Sequence, residues 1–328
     1  MGYQELSNEQ RRQLIDAQQV YGGYCRTEAA LEAMPRLRWQ SSKGQRYLYE
    51  AKGKVRKSLG AESEELKVYK AQEDEKRAGL EDSLKGLEER LDKMAPVNRA
   101  LGLGRMPRIA SRIVRALDKE GLLGKHIIVA GTNALFGYEI ASGVLIGSEY
   151  VATGDADLVW DTAQALQLVG TGIKREGLMG LLQRIDQSFV ADYGFNARNR
   201  DGYMVDLLCP DQEGNPQIRE EGDLAAVPMA GIAWLLEAPR EEQVIIGEDG
   251  YPLRLVVPES RSFALHKMWV SKRADRDPLK RQRDRDQAAV IAELAVKFQG
   301  KALEAGDMPW LPDALRGEID ELTGRAGK

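Results

Sequence analysis

Two aspartates one residue apart, Asp155 and Asp157 in the run Thr153-Gly154-Asp155-Ala156-Asp157-Leu158-Val159-Trp160, constrain this chain more than any other feature. Side chains alternate between faces along a β-strand, so both carboxylates project from the same face. Two carboxylates held that close resist full ionisation unless a cation lies between them. Hard oxygen ligands in this arrangement suit Mg²⁺, which takes one or two carboxylates and completes its shell with water and substrate phosphate. Upstream, Val129-Ala130-Gly131-Thr132-Asn133 reads as the end of a strand and a turn into a helix. The backbone N–H groups of Gly131, Thr132 and Asn133 in such a turn can receive a phosphate. Pair and turn together point to metal-assisted phosphoryl or nucleotidyl transfer.

A third carboxylate follows. Phe195 to Arg198 and Tyr203 to Leu208 flank Asn199-Arg200-Asp201-Gly202, the pattern of a hairpin with an Asp-Gly turn. Asp206 sits inside the apolar run from Met204 to Cys209, where an unpaired carboxylate is costly to bury. If its strand lies beside the one carrying Asp155 and Asp157, the three carboxylates converge on a two-metal site. Plainer readings exist for each part. The aspartate pair can be solubility charges on a strand edge, Gly131-Thr132-Asn133 only a helix cap, and Asp206 the partner of Arg198 across the hairpin.

Taken in order, these residues resemble the polymerase-β-type nucleotidyltransferases. That superfamily is marked by a Gly-Ser or Gly-Thr turn opening a helix, an Asp-x-Asp strand, and a lone Asp on a later strand. Gly131-Thr132, Asp155/Asp157 and Asp206 match these parts. The interval between turn and pair is longer than in minimal members, and Ala134 to Val144 fills it. That stretch looks like a poorly characterised bacterial subfamily with an added N-terminal helical region. Asn98-Arg99-Ala100-Leu101 and Phe263-Ala264-Leu265-His266-Lys267 extend the likeness over most of the chain.

The resemblance implies an α/β (α+β) nucleotidyltransferase core with a mixed sheet, flanked by helical regions at both ends. It implies that Asp155, Asp157 and Asp206 bind two Mg²⁺ ions, that ATP or another nucleoside triphosphate is the substrate, and that Lys267 lies on a cationic helix near the triphosphate. A surface lysine is the competing reading of Lys267. Relatives modify RNA ends, small antibiotics or protein hydroxyls, and several are toxins paired with an antitoxin. Two rival functions stay open: an Asp-x-Asp glycosyltransferase, which has no use for Asp206 or the Gly-Thr turn, and a catalytically silent nucleotide sensor or interaction module.

The bulk sequence narrows these options. At 328 residues with 43% hydrophobic and 30% charged content, the chain can bury a large core and carry much exposed helix. Its longest nearly apolar run, Val227 to Ala238, is too short for a bilayer, and its polar start is unlike a signal peptide. Two cysteines, Cys25 and Cys209, and two histidines, His126 and His266, supply neither a disulfide framework nor a zinc site, so a cytoplasmic setting is expected. The net charge of −4 argues against indiscriminate nucleic-acid binding. Its distribution is uneven. Arg36, Arg38, Lys43, Arg46, Lys52, Lys54, Arg56 and Lys57 face only Glu50, with Trp39, Tyr47 and Tyr49 interleaved. Such a segment can track a phosphate backbone and stack bases, pointing to an RNA acceptor such as a tRNA end, or it can be an ordinary solvated surface. A second basic cluster, Lys267 to Arg285, is diluted by Asp275, Asp277, Asp284 and Asp286.

Three regions are expected: a helical one over 1–100, the core over 101–257 and a helical one over 258–328. In the first, a helix from Asn8 to Tyr21 is broken by Gly22-Gly23, and a loop or short hairpin turns around Lys43-Gly44. A helix or helical pair follows from Glu62 to Met94, with Leu80, Leu84, Leu87, Leu91 and Met94 forming a seam, and Pro96 stops it. The core alternates helix Met106–Leu117, strand His126–Ala130, helix Thr132–Ile140, strand Asp155–Trp160 and a helix from Glu176 to Gln187, then the Asp206 hairpin. A helix over Leu224–Leu236 and a hairpin of Gln243–Ile246 with Leu253–Val257 complete it. Helices Ser260–Lys272 and Pro278–Phe298 end in a polar tail.

Overall fold

Short apolar runs separated by glycine turns build the sheet that carries the aspartates, and amphipathic helices cover it. A computed structural model describes residues 2–42, 44–52, 55–161, 177–192, 196–211 and 224–326. Lys43, Lys54, Glu176 and Phe195, named above, lie outside the described residues. The chain divides into two compact units: Arg12–Leu101, and Met1–Arg11 with Gly102–Lys328.

The larger unit begins with β1 (Tyr3–Glu5). The smaller unit then opens on α1 (Asn8–Ala33), which runs straight through Gly22-Gly23. Packing overrides the cost of two helical glycines, about 1 kcal/mol each. A Cβ on Gly23 would stand 3.3 Å from Leu87 Cδ2, so its bareness brings two helices together. Strands β2 (Arg36–Ser42), β3 (Gln45–Lys52) and β4 (Val55–Ala61) form an antiparallel sheet in which the expected hairpin becomes a meander. Helix α2 (Glu64–Ala100) starts at Ser63, whose side chain accepts from Leu66 N, and continues through Pro96. Gln13 Nε2 donates to Asn98 Oδ1 at 2.8 Å and Arg77 donates to Met34 O at 3.2 Å, so α1 and α2 run antiparallel. Leu91, on the expected seam, is buried.

The larger unit resumes with α3 (Arg108–Lys119), whose Ala110, Ile113, Val114 and Leu117 make a buried stripe at helical spacing. Strand β5 (Ile127–Val129) and a short 3₁₀ turn, Thr132–Ala134, lead into α4 (Leu135–Ser142). Then come β6 (Val144–Ile146), α5 (Ser148–Val151), β7 (Asp155–Trp160), α6 (Gly177–Ile185), β8 (Val190–Asp192), β9 (Asn196–Arg198) and β10 (Met204–Pro210). Where a helix over Leu224–Leu236 was expected, Pro228 and Gly231 interrupt it. Val227–Met229 is strand β11, and helix α7 spans only Ile232–Glu237. The hairpin β12 (Arg240–Ile246) and β13 (Pro252–Pro258) precedes α8 (Ser260–Lys272) and α9 (Pro278–Lys297). The polar tail is in fact a helix, α10 (Asp313–Ala326), anchored by buried Leu315 and Leu322 and by Lys272, which pairs with Glu318 and Glu321 at 2.6 Å.

The main sheet runs β5-β7-β10-β9-β8, with β11 pairing alongside β10. β7 and β10 are parallel, while β5 is antiparallel to β7 and β9 antiparallel to β10, so the sheet is mixed. β1 pairs with β6. Along β7 and β10, Ala156, Leu158, Val205 and Leu207 are buried on one face, and the aspartates project half-buried from the other. Among the described residues no helix is long and apolar enough to cross a membrane.

Candidate active site

Strand register brings the three aspartates together. β10 lies parallel to β7 with Asp206 opposite Asp157 and Met204 opposite Asp155. Directly opposed residues share a face at about 5 Å, so Asp206 and Asp157 are lateral neighbours and Asp155 is one pleat further along. The anticipated Asn199–Gly202 turn aligns them: Gly202 N donates to Asn199 O at 3.0 Å, and Asn199 Oδ1 accepts from Tyr203 N at 2.8 Å. Arg198 does not pair with Asp206. Its cross-strand partner is Met204, and its guanidinium holds Asp192 at 2.6 Å. Asp206 instead receives a hydrogen bond from the side chain of Asn196, its partner on β9.

These carboxylates are short of countercharge. Burial first, then Asp155 and Asp206, push the Asp157 carboxyl up to about 6 against the opposing pull of Lys267 and Lys280. Burial and then Asp155 also raise Asp206, opposed by Asn196 and Lys280. Thr153 Oγ1 donates to Asp155 Oδ1. Tyr203 donates to the Asp155 carbonyl at 3.1 Å, and burial pushes its phenol well up.

The glycine turn closes on Asp157. Ala130 N donates to Asp157 O at 2.9 Å, and Gly131 follows with φ +57° and ψ −151°. A Cβ at Gly131 would overlap Asp157 Oδ2 and lie 2.6 Å from its Cγ, so only glycine lets the chain pass over this carboxylate. Thr132 and Asn133 are buried, with their side chains engaged. Thr132 Oγ1 accepts from Arg283 at 3.2 Å and Gln287 at 3.4 Å, and Asn133 Nδ2 donates to Asp155 O at 2.8 Å. Any role in phosphate binding falls to the backbone of this turn.

Lys267 is neither a surface lysine nor free. Its side chain is 12% exposed and pairs at 2.8 Å with Asp284, which also takes Arg276 at 2.6 Å. It reaches Asp157 through its field alone. Sequence reasoning missed Lys280 and Arg283. Within the cluster noted as diluted, the acids are already committed: Asp275 to Arg273, Asp277 to capping α9, Asp284 to Lys267 and Arg276, and Asp286 to Gln282. Lys280 remains, acting on both Asp157 and Asp206. Arg283 also remains, its Nε buried without a hydrogen-bond partner beside Thr132. A spacing of i, i+3 on one helix was the signal.

Among the described residues, no trio of His, Cys, Asp or Glu is gathered tightly enough to enclose a metal ion as it stands. The donor chemistry nevertheless fits a hard divalent cation. Carboxylate oxygens from two adjacent strands are held in partial burial, and two of the three are raised by that burial and by a neighbouring carboxylate. Arg283, which donates to Thr132 Oγ1 and Ala152 O, keeps a buried Nε–H without a partner next to the glycine turn.

A mixed sheet thus bears the paired and lone aspartates beneath a glycine turn. A family described as Nucleotidyltransferase matches residues 108–308, and the chain belongs to that family. Membership implies nucleotidyl transfer with a nucleoside triphosphate as substrate. No curated protein and no solved structure matches the chain.

Proposed function

We propose that the protein is a Mg²⁺-dependent nucleotidyltransferase of the polymerase-β type, transferring a nucleoside monophosphate to an acceptor hydroxyl and releasing pyrophosphate. The observation carrying this reading is the β7–β10 register that sets Asp206 beside Asp157. Asp155, Asp157 and Asp206 would hold two Mg²⁺ ions. Bound there, the ions would lower the pKa of the acceptor hydroxyl and neutralise charge on the triphosphate. The acceptor oxygen attacks the α-phosphorus in line, the bond to the bridging β-phosphate oxygen breaks, and the hydroxyl proton passes to solvent. Such transfer depends chiefly on positioning and charge neutralisation. The backbone from Gly131 to Asn133 cradles phosphate, Lys280 and Arg283 supply positive charge, and Asn196 and Thr153 orient Asp206 and Asp155. An RNA end is the proposed acceptor, supported by the basic and aromatic residues of the smaller unit.

The test is incubation with each α-labelled nucleoside triphosphate, Mg²⁺, and cellular RNA, protein or metabolite fractions. Label is expected in the RNA fraction and absent without divalent cation. Label in protein or metabolites would replace the acceptor, and no label in any fraction would favour the silent sensor.

A further inference from the structure

We infer that the exposed face of the β2–β4 sheet is a docking surface for single-stranded RNA, an inference that rests on the RNA-acceptor reading above. Cross-strand register separates the two faces. Arg38 lies opposite Tyr49, Gln40 opposite Tyr47, Arg36 opposite Ala51, and Ala51 opposite Arg56, so these side chains share one face. The other face carries Leu37 and Leu48, both buried, and turns inward. Arg36, Arg38, Gln40 and Arg56 are exposed, and Tyr49 is half-buried with the Arg56 guanidinium 5.4 Å over its ring. Together with Leu31 and Glu32 at the end of α1 and Met34 just beyond it, this face lines a trough of about 580 Å³.

Its chemistry selects the occupant. Three arginines, Arg36, Arg38 and Arg56, stand in this trough against one carboxylate, Glu32, so the balance of charge there favours a polyanion. Tyr47 and Tyr49 lie two residues apart on β3, about 7 Å from each other, on either side of a register shift against β4 between Leu48 and Tyr49, and rings so placed on one face can stack successive bases. A duplex would leave those rings unused, because its bases are already stacked. Gln40 and Ser58, neutral and on the same face, suit a ribose 2′-hydroxyl. Among the described residues, the face carries no exposed large apolar side chain that could enter a membrane.

The test uses the full chain without nucleoside triphosphate and a fluorescein-labelled single-stranded RNA of about ten nucleotides, followed by anisotropy across a salt series. The combined Arg36→Gln, Arg38→Gln and Arg56→Gln variant is expected to bind at least tenfold more weakly. Its log–log salt slope should be shallower by about 2, at roughly 0.7 per lost phosphate contact. Tyr49→Ala should weaken binding roughly tenfold or more with an unchanged slope, and Tyr49→Phe should restore it. Lys57→Gln, on the opposite face, should change neither. Unchanged affinity in the arginine variant overturns the proposal, as does equal binding of duplex RNA or of DNA with the same sequence. Displacement by polyglutamate or anionic vesicles at equal charge also overturns it. Binding that persists in a chain with no transferase activity would refute the enzyme reading alone; transferase activity on RNA without this binding would refute the docking surface alone.

Discussion

At the scale of single residues, the site is a set of negative charges kept close by backbone geometry. Asp157 is the most constrained, with Gly131 over its carboxylate, Asp206 beside it and burial raising it to about 6. In the free protein its ionisation is an electrostatic cost, so Asp157→Asn should abolish nucleotidyl transfer without loss of thermal stability. A midpoint equal to or above that of the parent, measured beside labelled-nucleotide turnover, is the expected result; undiminished turnover would remove Asp157 from the chemistry. The aspartate pair was legible because strand side chains repeat every two residues, and Asp206 because a charge stood in an apolar run. Lys280, Arg283 and Asn196 were not. They stand near the site through the packing of α9 and the pairing of β9, and the one local trace, the i, i+3 spacing of Lys280 and Arg283, does not say what that helix face meets.

At the scale of elements, helix and strand are tied by buried polar groups. Glu139 on α4 accepts from Ile146 N of β6 at 2.8 Å and lies 3.5 Å from Arg105, which itself donates to Ile146 O at 2.5 Å. Burial pushes the Glu139 carboxyl up to about 7 despite Arg105. A carboxyl raised on folding favours the native state when protonated. Its contribution is complete below the ordinary carboxylate range and is lost as pH rises through about 7. The parent should therefore lose on the order of 3 kcal/mol between pH 4.5 and pH 8 from this group, at about 1.4 kcal/mol per unit. Glu139→Gln should flatten that part of the profile in denaturant titrations, whereas parallel profiles would rule it out. Element boundaries were readable where local chemistry decides them, as in β7 and α8. They failed where tertiary contact outweighs it. Gly22-Gly23 permits close packing on Leu87, Pro96 sits in a helix whose neighbours Leu91, Ala95 and Asn98 are buried, and α10 has apolar positions too sparse to stand out from its charges.

At the scale of the molecule, the smaller unit is an insertion. The larger unit contributes the first eleven residues, yields the chain to Arg12–Leu101, and resumes at Gly102, before the family match begins at residue 108. Residues 1–11 are integral to the larger unit. Leu6 is buried, Tyr3 donates to Glu293 at 2.5 Å and meets Phe298 edge-on at 5.5 Å, and β1 completes β6. The ends of the insertion lie side by side, since Gln13 bonds Asn98. Replacing residues 12–101 by a short linker should leave a cooperatively folded larger unit. Removing residues 1–101 should lower its thermal midpoint on the order of 5–10 °C, from the lost burial of Tyr3 and Leu6. Equal midpoints would show that β1 is dispensable.

The pairing of Tyr3 with Ile146 also fixes an order of events on the ribosome. β1 emerges before its mate on β6, with the whole insertion made in between. At about 5–20 residues per second, it waits roughly seven to thirty seconds, while the antiparallel helices and their meander can already have formed.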